Sequence, residues 1–218
     1  NEAYLIPIVV VLVMVLIIIF SIFFNEEARV KRKLRKAQYR PISDFINGEV
    51  GKVLGRVDAS NTNLRSPISN RSCVGYHVVV EQKKSSGKSN TWKTILDKKV
   101  IRDFTVIENG HKALIRTKDI KTAVVKDRQF ESGFLNDATT NLESFLKEHG
   151  LKSEGFMGFN KTLRYEEGIL EKGEMVSVLG QVTWTNNEQP DSNERILEVQ
   201  SNEKNPVYLS DHRSTLVK

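Results

Sequence analysis

Hydrophobic residues are concentrated near the start of the chain, where they form one uninterrupted run. From Leu5 to Phe24, twenty residues follow one another without a charge. At about 1.5 Å rise per residue, a helix of this length spans a hydrocarbon core of roughly 30 Å. Lipid cannot satisfy open backbone groups, so such a run should be helical. The pattern predicts one transmembrane helix within residues 1–25.

Beyond residue 40, apolar and polar residues alternate in short runs, which is typical of strands with one buried face. In the run 73–81, Val74, Tyr76, Val78 and Val80 share one face. The pair Asn109-Gly110 suits a tight hairpin turn between strands at 104–107 and 113–116. Residues 83–90 read as a polar hairpin tip. Further strands are predicted at 48–57, 91–95, 120–125, 162–171, 173–184, 195–200 and 207–210.

One helical pattern lies in the soluble part, near residues 136–149. Leu142, Phe145 and Leu146 recur at helical spacing, and Gly150 stands where a helix-ending glycine belongs. The predicted fold class is therefore mainly β (α+β). It comprises a transmembrane helix (1–25), a basic juxtamembrane arm (26–40) and an antiparallel β-rich domain (41–218).

Two segments of the soluble part resemble each other. Gly48-Glu49-x-x-x-Val53-Leu54-Gly55-x-Val57 recurs 125 residues later as Gly173-Glu174-x-x-x-Val178-Leu179-Gly180-x-Val182. Duplication would give two related β units, 41–130 and 151–218, joined by the helix. Convergence of similar turn-plus-strand sequences explains the match equally well, so both interpretations stay open.

Positive charge is concentrated beside the apolar run. Residues 1–40 hold seven basic and three acidic groups, whereas residues 41–218 hold 26 and 24. This split favours a membrane surface over nucleic acid, whose binding domains carry the excess on the folded unit. The positive-inside rule places the domain on the cytoplasmic side of a cell or organelle membrane. Seven residues are predicted to bind anionic headgroups, namely Arg29, Lys31, Arg32, Lys33, Arg35, Lys36 and Arg40.

Residues that could carry chemistry are few. Cys73 is the single cysteine, so the chain offers neither an internal disulfide nor a cysteine-based zinc site. His77 lies four residues away, about 13 Å along a strand, too far to act as base for the Cys73 thiol. Glu166 and Glu167 are adjacent on a strand, face opposite ways and are interpreted as surface charge. We expect no metal, no cofactor and no catalytic residue.

A series of strand-and-turn motifs is spread over most of the soluble part. They are Leu64-x-Ser66-Pro67-x-Ser69, Arg71-x-Cys73-Val74-x-Tyr76, Trp92, the hairpin around Gly110, Glu167-Gly168-Ile169-Leu170 leading to Gly173 and Gly180, and Pro206 to Ser210. In these motifs the chain resembles the GIDE-type, or beside-a-membrane, domain of the mitochondrial membrane-anchored ubiquitin ligase MULAN and its prokaryotic relatives. The resemblance implies a domain held against a membrane that works by contacting other proteins.

The chain departs from that ligase in two respects. The ligase has a second transmembrane segment and a C-terminal RING finger, whereas this sequence ends at Leu216-Val217-Lys218. A RING needs seven or eight Cys and His zinc ligands, so ubiquitin-ligase chemistry is not expected. The leading hypothesis is a single-pass membrane protein with a protein-interaction module. The alternative is a membrane-tethered enzyme or small-ligand binder with a pocket between two β units, around Cys73, His77, Trp92 or Trp184.

Overall fold

The structure is a computed structural model that describes residues 10–15, 25–60, 62–86, 89–132, 140–153, 161–186 and 195–217. Two α-helices are described in full: α1 (Glu26–Lys36) and α2 (Thr140–Glu148). The strands are β1 (Val50–Asp58), β2 (Gly75–Ser86), β3 (Ser89–Ile101), β4 (Phe104–Glu108), β5 (His111–Ile115), β6 (Ile120–Ala123), β7 (Arg128–Ser132), β8 (Leu163–Leu170), β9 (Met175–Asn186), β10 (Arg195–Gln200) and β11 (Val207–Ser210). Short 3₁₀ helices lie at Ile42–Asp44 and Arg213–Thr215.

Five strands close into a barrel. The hydrogen-bonded order is β1-β4-β5-β10-β9, and β9 pairs back onto β1. All neighbours are antiparallel except β5 and β10, which run parallel. Counted within the barrel, this is the strand order of the small Greek-key barrels called OB-folds. The barrel interior holds the larger hydrophobic core, including Val53, Val106, Val178 and Leu197, none of which is exposed.

The barrel wall continues beyond β5 and β10. The strands that follow them, β6 and β11, also pair in parallel, with Val207 opposite Ile120. β11 adds to β9 in antiparallel fashion through Leu209 and Val178. The seven strands form one sheet, whose β6–β11 end provides a docking surface for α1.

The remaining four strands form a second, antiparallel sheet in the order β3-β2-β8-β7. One face is covered by α2, whose Leu142, Phe145 and Leu146 pack on Val78 and Tyr165. The β2–β3 hairpin lies between barrel strands β1 and β4 in sequence, and β7-α2-β8 lies between β6 and β9. Each sheet therefore takes strands from both halves of the chain, so the proposed units 41–130 and 151–218 are interleaved.

Helix α1 is part of the folded domain. Val30 and Leu34 are 1% and 0% exposed, and they pack on Ala123 of β6 with Leu179 and Tyr208 alongside. The chain after α1 stays on the barrel: Arg40 N donates to Lys52 O at 3.2 Å, and Ile42 N donates to the Glu108 carboxylate at 2.9 Å. The segment predicted as a separate arm over 26–40 is thus a helix and an extended strap on the β domain.

The two similar segments are neighbours related by an approximate twofold axis. Val53 of β1 lies opposite Val178 of β9, and the pairing runs antiparallel from Val50–Gln181 to Arg56–Met175. The offset of 125 residues relates Val57 of β1 to Val182 of β9, and each of these valines lies opposite a valine of the next strand, Val106 of β4 and Val199 of β10 respectively. The axis thus exchanges β1 with β9 and β4 with β10.

The mainly β class is confirmed. The hairpin at Asn109-Gly110 is present, and α2 ends as expected: Gly150 N donates to Lys147 O at 3.0 Å and Leu151 N donates to Leu146 O at 2.8 Å, a Schellman ending. Strands β2 and β3 extend into the segment predicted as a hairpin tip, and β7 was not predicted. Residues 136–139 of the predicted helix lie outside the described residues.

The predicted transmembrane helix lies mostly outside the described residues as well. Of the run from Leu5 to Phe24, residues 10–15 are described; they are helical, and their side chains are 45% to 61% exposed. None of the helices in the described ranges is both long and apolar enough to cross a membrane.

Candidate functional site

Six of the seven basic residues predicted to meet headgroups lie on α1, and the seventh does not. Arg29, Arg32 and Lys36 are spaced by three and four residues on the side opposite the buried pair Val30 and Leu34. Lys31, Lys33 and Arg35 flank that stripe. Arg40 lies beyond the helix, pairs with Glu49 and stacks over the Phe45 ring at 5.5 Å. The structure therefore separates Arg40 from the cationic face of α1.

The two acidic residues of α1 face the second sheet instead. Glu26 pairs with Lys99 of β3 at 3.4 Å, and a Glu27 oxygen lies 3.7 Å from Nδ1 of His77. His77 is 2% exposed, and its Nε2 is 2.9 Å from the Asp97 carboxylate. Burial is the main cause that lowers the pKa of His77, so the ring is neutral at pH 7. His77 is thus a structural contact between β2 and the first turn of α1.

The residues suggested for an enzymatic pocket do not meet. Cys73 is fully buried, and desolvation raises the pKa of its thiol to about 11, which removes its nucleophilic character at neutral pH. Trp92 lies on β3 under the Arg164 guanidinium at 4.7 Å, whereas Trp184 lies on β9 and donates to Phe45 O at 2.9 Å. Of the described cavities, none is lined by Cys73, His77 or either tryptophan.

The turn around Pro67 is anchored by Glu167, which the sequence analysis wrongly interpreted as surface charge. Glu167 is fully buried, and its Oε1 accepts hydrogen bonds from Ile68 N at 3.2 Å and Ser69 N at 3.4 Å. Its neighbour Glu166 remains half-exposed and pairs with Lys126 at 3.5 Å. The adjacent carboxylates do face opposite ways, but Glu167 points into the domain and anchors the motif loop instead of lying on the surface.

The remaining motif residues also have structural positions. Tyr76 packs beside the α2 core, and Gly110 forms the β4–β5 turn with φ +85°. Gly173, with φ +83°, forms the β8–β9 turn. A Cβ on Gly180 would lie 2.8 Å from Val199 Cγ1 and 3.0 Å from Gln200 O, so β9 can approach β10 closely only with glycine there. These positions explain the motifs as requirements of folding.

The sequence analysis did not predict one pair of carboxyl groups, those of Glu174 and Asp211. Burial is the main cause that raises the pKa of Glu174 to about 7 and of Asp211 to about 6. The negative charge of Asp211 also raises the pKa of Glu174, while Asp211 accepts from Val125 N at 2.9 Å and Glu174 from Glu171 N at 2.9 Å. Each carboxyl therefore keeps its proton to a higher pH than it would in water. No sequence signal marks the pair, since Glu174 directly precedes β9 and Asp211 directly follows β11, 37 residues later in the chain.

An open groove of about 450 Å³ is the most apolar of the described cavities. Leu54, Ile107 and Met175 line it, with Arg56 and Lys172 at its edge. On the nearby outer face of β4 and β5, the half-exposed side chains are Thr105, Ile107, Lys112 and Leu114. Barrels that bind single-stranded nucleic acid stack bases on aromatic rings, which this face of the described strands does not carry. The described part of this face is therefore aliphatic and polar.

Metal binding finds no support in the described part of the chain, where no three His, Cys, Asp or Glu side chains are placed to hold an ion.

Comparison with known proteins does not identify a family for this chain. No protein-family model matches the chain, and neither a curated protein nor a solved structure matches it.

Proposed function

We propose that this protein is a single-pass membrane protein whose β-rich domain is a cytoplasmic protein-interaction module held next to the bilayer of a cell or organelle. The observation that carries the proposal is the position of α1. It begins directly after the apolar run that ends at Phe24, and its buried Val30 and Leu34 pack on β6, β9 and β11. A domain joined in this way cannot swing freely on a linker, so its surface stays within a short distance of the membrane.

The charge distribution supports the cytoplasmic orientation. The cations of α1 come within the first turns after the apolar run, where the positive-inside rule counts them. Confinement to the membrane raises the effective concentration of other membrane proteins, so even weak contacts with the domain become populated. The resemblance to the GIDE-type family fits the same function and remains part of the proposal.

Contact with partners explains the site better than catalysis does. Cys73 is buried with a raised pKa, His77 is held between Asp97 and Glu27, and the carboxyl pair Glu174–Asp211 is engaged by backbone amides. Each of these groups has its contacts inside the domain. An enzyme would need such groups to converge on a cavity.

Fractionation of cells that express the full chain tests the anchor. We expect the protein in the membrane pellet, retained through high salt and alkaline carbonate and released by detergent. Protease added to sealed cells should leave the β domain intact, and it should cleave the domain once the membrane is opened. Recovery in the supernatant without detergent would refute the anchor, and cleavage from outside would reverse the orientation.

Proximity labelling tests the interaction. A labelling enzyme is fused to the C-terminus of the full chain, and the control carries it directly after residues 1–25. We expect a small set of membrane proteins to be enriched by the full chain over the anchor alone. Equal labelling patterns from the two fusions would contradict an interaction role for the β domain.

A further inference from the structure

We propose that α1 lies flat on the membrane surface and that the stripe Arg29, Arg32 and Lys36 binds the headgroups of anionic phospholipids, with the barrel on the far side of the helix. This inference rests on the proposed membrane anchor and adds to it the orientation of the domain and the chemistry of the contact. It also selects among the seven cations, which the amino-acid sequence alone does not distinguish.

Helix α1 starts at a cap of its own. Asn25 has an extended backbone, with φ −55° and ψ 133°, and its side chain accepts a hydrogen bond from Glu27 N at 3.0 Å. A helix that continued from the apolar run into α1 would need helical dihedrals at this residue. Asn25 instead acts as the N-cap of a new helix. The break allows α1 to leave the direction of the preceding segment and to lie along the bilayer.

Packing fixes which side of α1 faces away from the domain. Val30 and Leu34 dock on β6, β9 and β11, and the acidic pair Glu26 and Glu27 faces β3 and His77. At 100° per residue, Arg29, Arg32 and Lys36 lie at least 100° around the helix from both Val30 and Leu34. Arg29 and Lys36 are exposed, as are the flanking Lys33 and Arg35. The outer face of α1 is therefore cationic, and both acidic groups lie on the side of the second sheet.

An anionic bilayer is the occupant that this face fits. The face is adjacent to the end of an apolar run of membrane-spanning length, and phosphate-bearing headgroups complement a row of guanidinium and ammonium groups. Arg40 is excluded from the contact because it pairs with Glu49 and stacks on Phe45. One face of α1 packs on the β domain and the opposite face meets lipid. The β domain is therefore separated from the bilayer surface by one helix diameter.

The test uses the full chain in nanodiscs and a fluorophore on a cysteine introduced by Lys33→Cys. Native Cys73 does not interfere, because it is fully buried. One set of discs contains phosphatidylcholine alone, and the other also contains phosphatidylglycerol. Headgroup-labelled quencher lipids report contact. The control reporter is Asn47→Cys, an exposed position on the turn before β1. We expect strong quenching at residue 33 in the anionic discs, relieved by high salt, and weak quenching at residue 47.

The decisive variant combines Arg29→Gln, Arg32→Gln and Lys36→Gln in the chain that carries the residue 33 reporter. Each cation near an anionic surface contributes about fivefold to the contact equilibrium, so the triple variant should reduce it on the order of 100-fold. The charge-matched control Lys84→Gln, Lys93→Gln and Lys118→Gln changes exposed lysines elsewhere and should leave the quenching unchanged.

Three results would overturn the inference while leaving the anchor intact. One is absence of quenching at residue 33 although the chain stays in the disc. An upright helix would produce it, because residue 33 would then stand about 10 Å above the start of α1. The second is equal quenching in neutral and anionic discs. The third is an equal effect of the two triple variants. Failure of the chain to enter discs at all would refute the anchor itself.

Discussion

Gly48 and Gly173 occupy equivalent positions in two turns that the twofold axis exchanges. Gly48 N donates to Val182 O and Gly173 N donates to Val57 O, each at 2.8 Å. Their φ angles are +85° and +83°. The next residues repeat the match, because the Glu49 carboxylate accepts from Ile46 N and the Glu174 carboxylate from Glu171 N. Each turn lies at one end of the paired strands β1 and β9, whose pairing closes the barrel.

The equivalence predicts equal sensitivity of the two turns. A Cβ on either glycine would meet no atom within 4 Å, so substitution acts only through the positive φ. Gly48→Ala and Gly173→Ala should each lower the free energy of unfolding by about 1–2 kcal/mol. Gly48→Asn and Gly173→Asn should cost less, since asparagine tolerates positive φ better. Urea unfolding of the detergent-solubilised chain measures this. Tolerance of alanine at one position and not the other would contradict the equivalence.

Local signals allowed these turns and several other elements to be predicted. Asn109-Gly110 specified the β4–β5 hairpin, and Gly150 specified the end of α2, because in both cases a few adjacent residues decide the backbone. The similarity between 48–57 and 173–182 was visible too. Its geometric meaning was not, since nothing in one segment indicates that its partner pairs with it directly.

Features that depend on distant residues were missed. The five-residue strand β7 pairs with β8, and its sequence RQFES shows little alternation between apolar and polar residues. Helix α1 contains the informative spacing Val30 to Leu34, but the surrounding cations favoured the interpretation of a solvated arm. Glu167 is buried because the fold brings the amides of residues 68 and 69 to it. Those amides lie about a hundred residues earlier in the chain.

Docking of α1 makes a second prediction. Leu34 is fully buried, so Leu34→Ala should lower the free energy of unfolding by about 2–5 kcal/mol. Lys33→Ala, on the exposed side of the same turn, should stay within about 0.5 kcal/mol. Leu34→Ala should also speed trypsin cleavage within α1, because the helix must leave the barrel to enter the protease. Equal unfolding and cleavage for the two variants would contradict the docked helix.

The carboxyl pair predicts a specific pH dependence. Because the pKa of Glu174 is raised from 4.5 to about 7, the folded chain keeps a proton that the unfolded chain has released. The contribution of Glu174 to the free energy of unfolding therefore falls as pH rises from 4.5 to about 7. Glu174→Gln removes the titrating group and retains an acceptor for Glu171 N. The free energy of unfolding of the parent should fall relative to that of Glu174→Gln between pH 4.5 and about 7.

The comparison between parent and variant isolates this group from others that titrate in the same range. His77 acts in the opposite direction, because its pKa is lowered from 6.5 and its protonation opposes folding as pH falls. Glu203→Gln, at an exposed position between β10 and β11, is the control and should follow the parent at every pH. Parallel curves for the parent and Glu174→Gln would show that the pair does not hold its proton.

Glu167 allows a sharper test because its neighbour provides a matched control. Glu167→Ala leaves the amides of Ile68 and Ser69 without their acceptor inside the domain, which should cost about 1–3 kcal/mol or more. Glu167→Gln keeps an acceptor oxygen and should retain most of the stability. Glu166→Ala removes only a half-exposed pair with Lys126 and should change the free energy of unfolding by less than about 1 kcal/mol. The measurement is urea unfolding followed by tryptophan fluorescence. If Glu166→Ala proved the more damaging substitution, the assignment of Glu167 as the anchor of the Pro67 turn would be wrong.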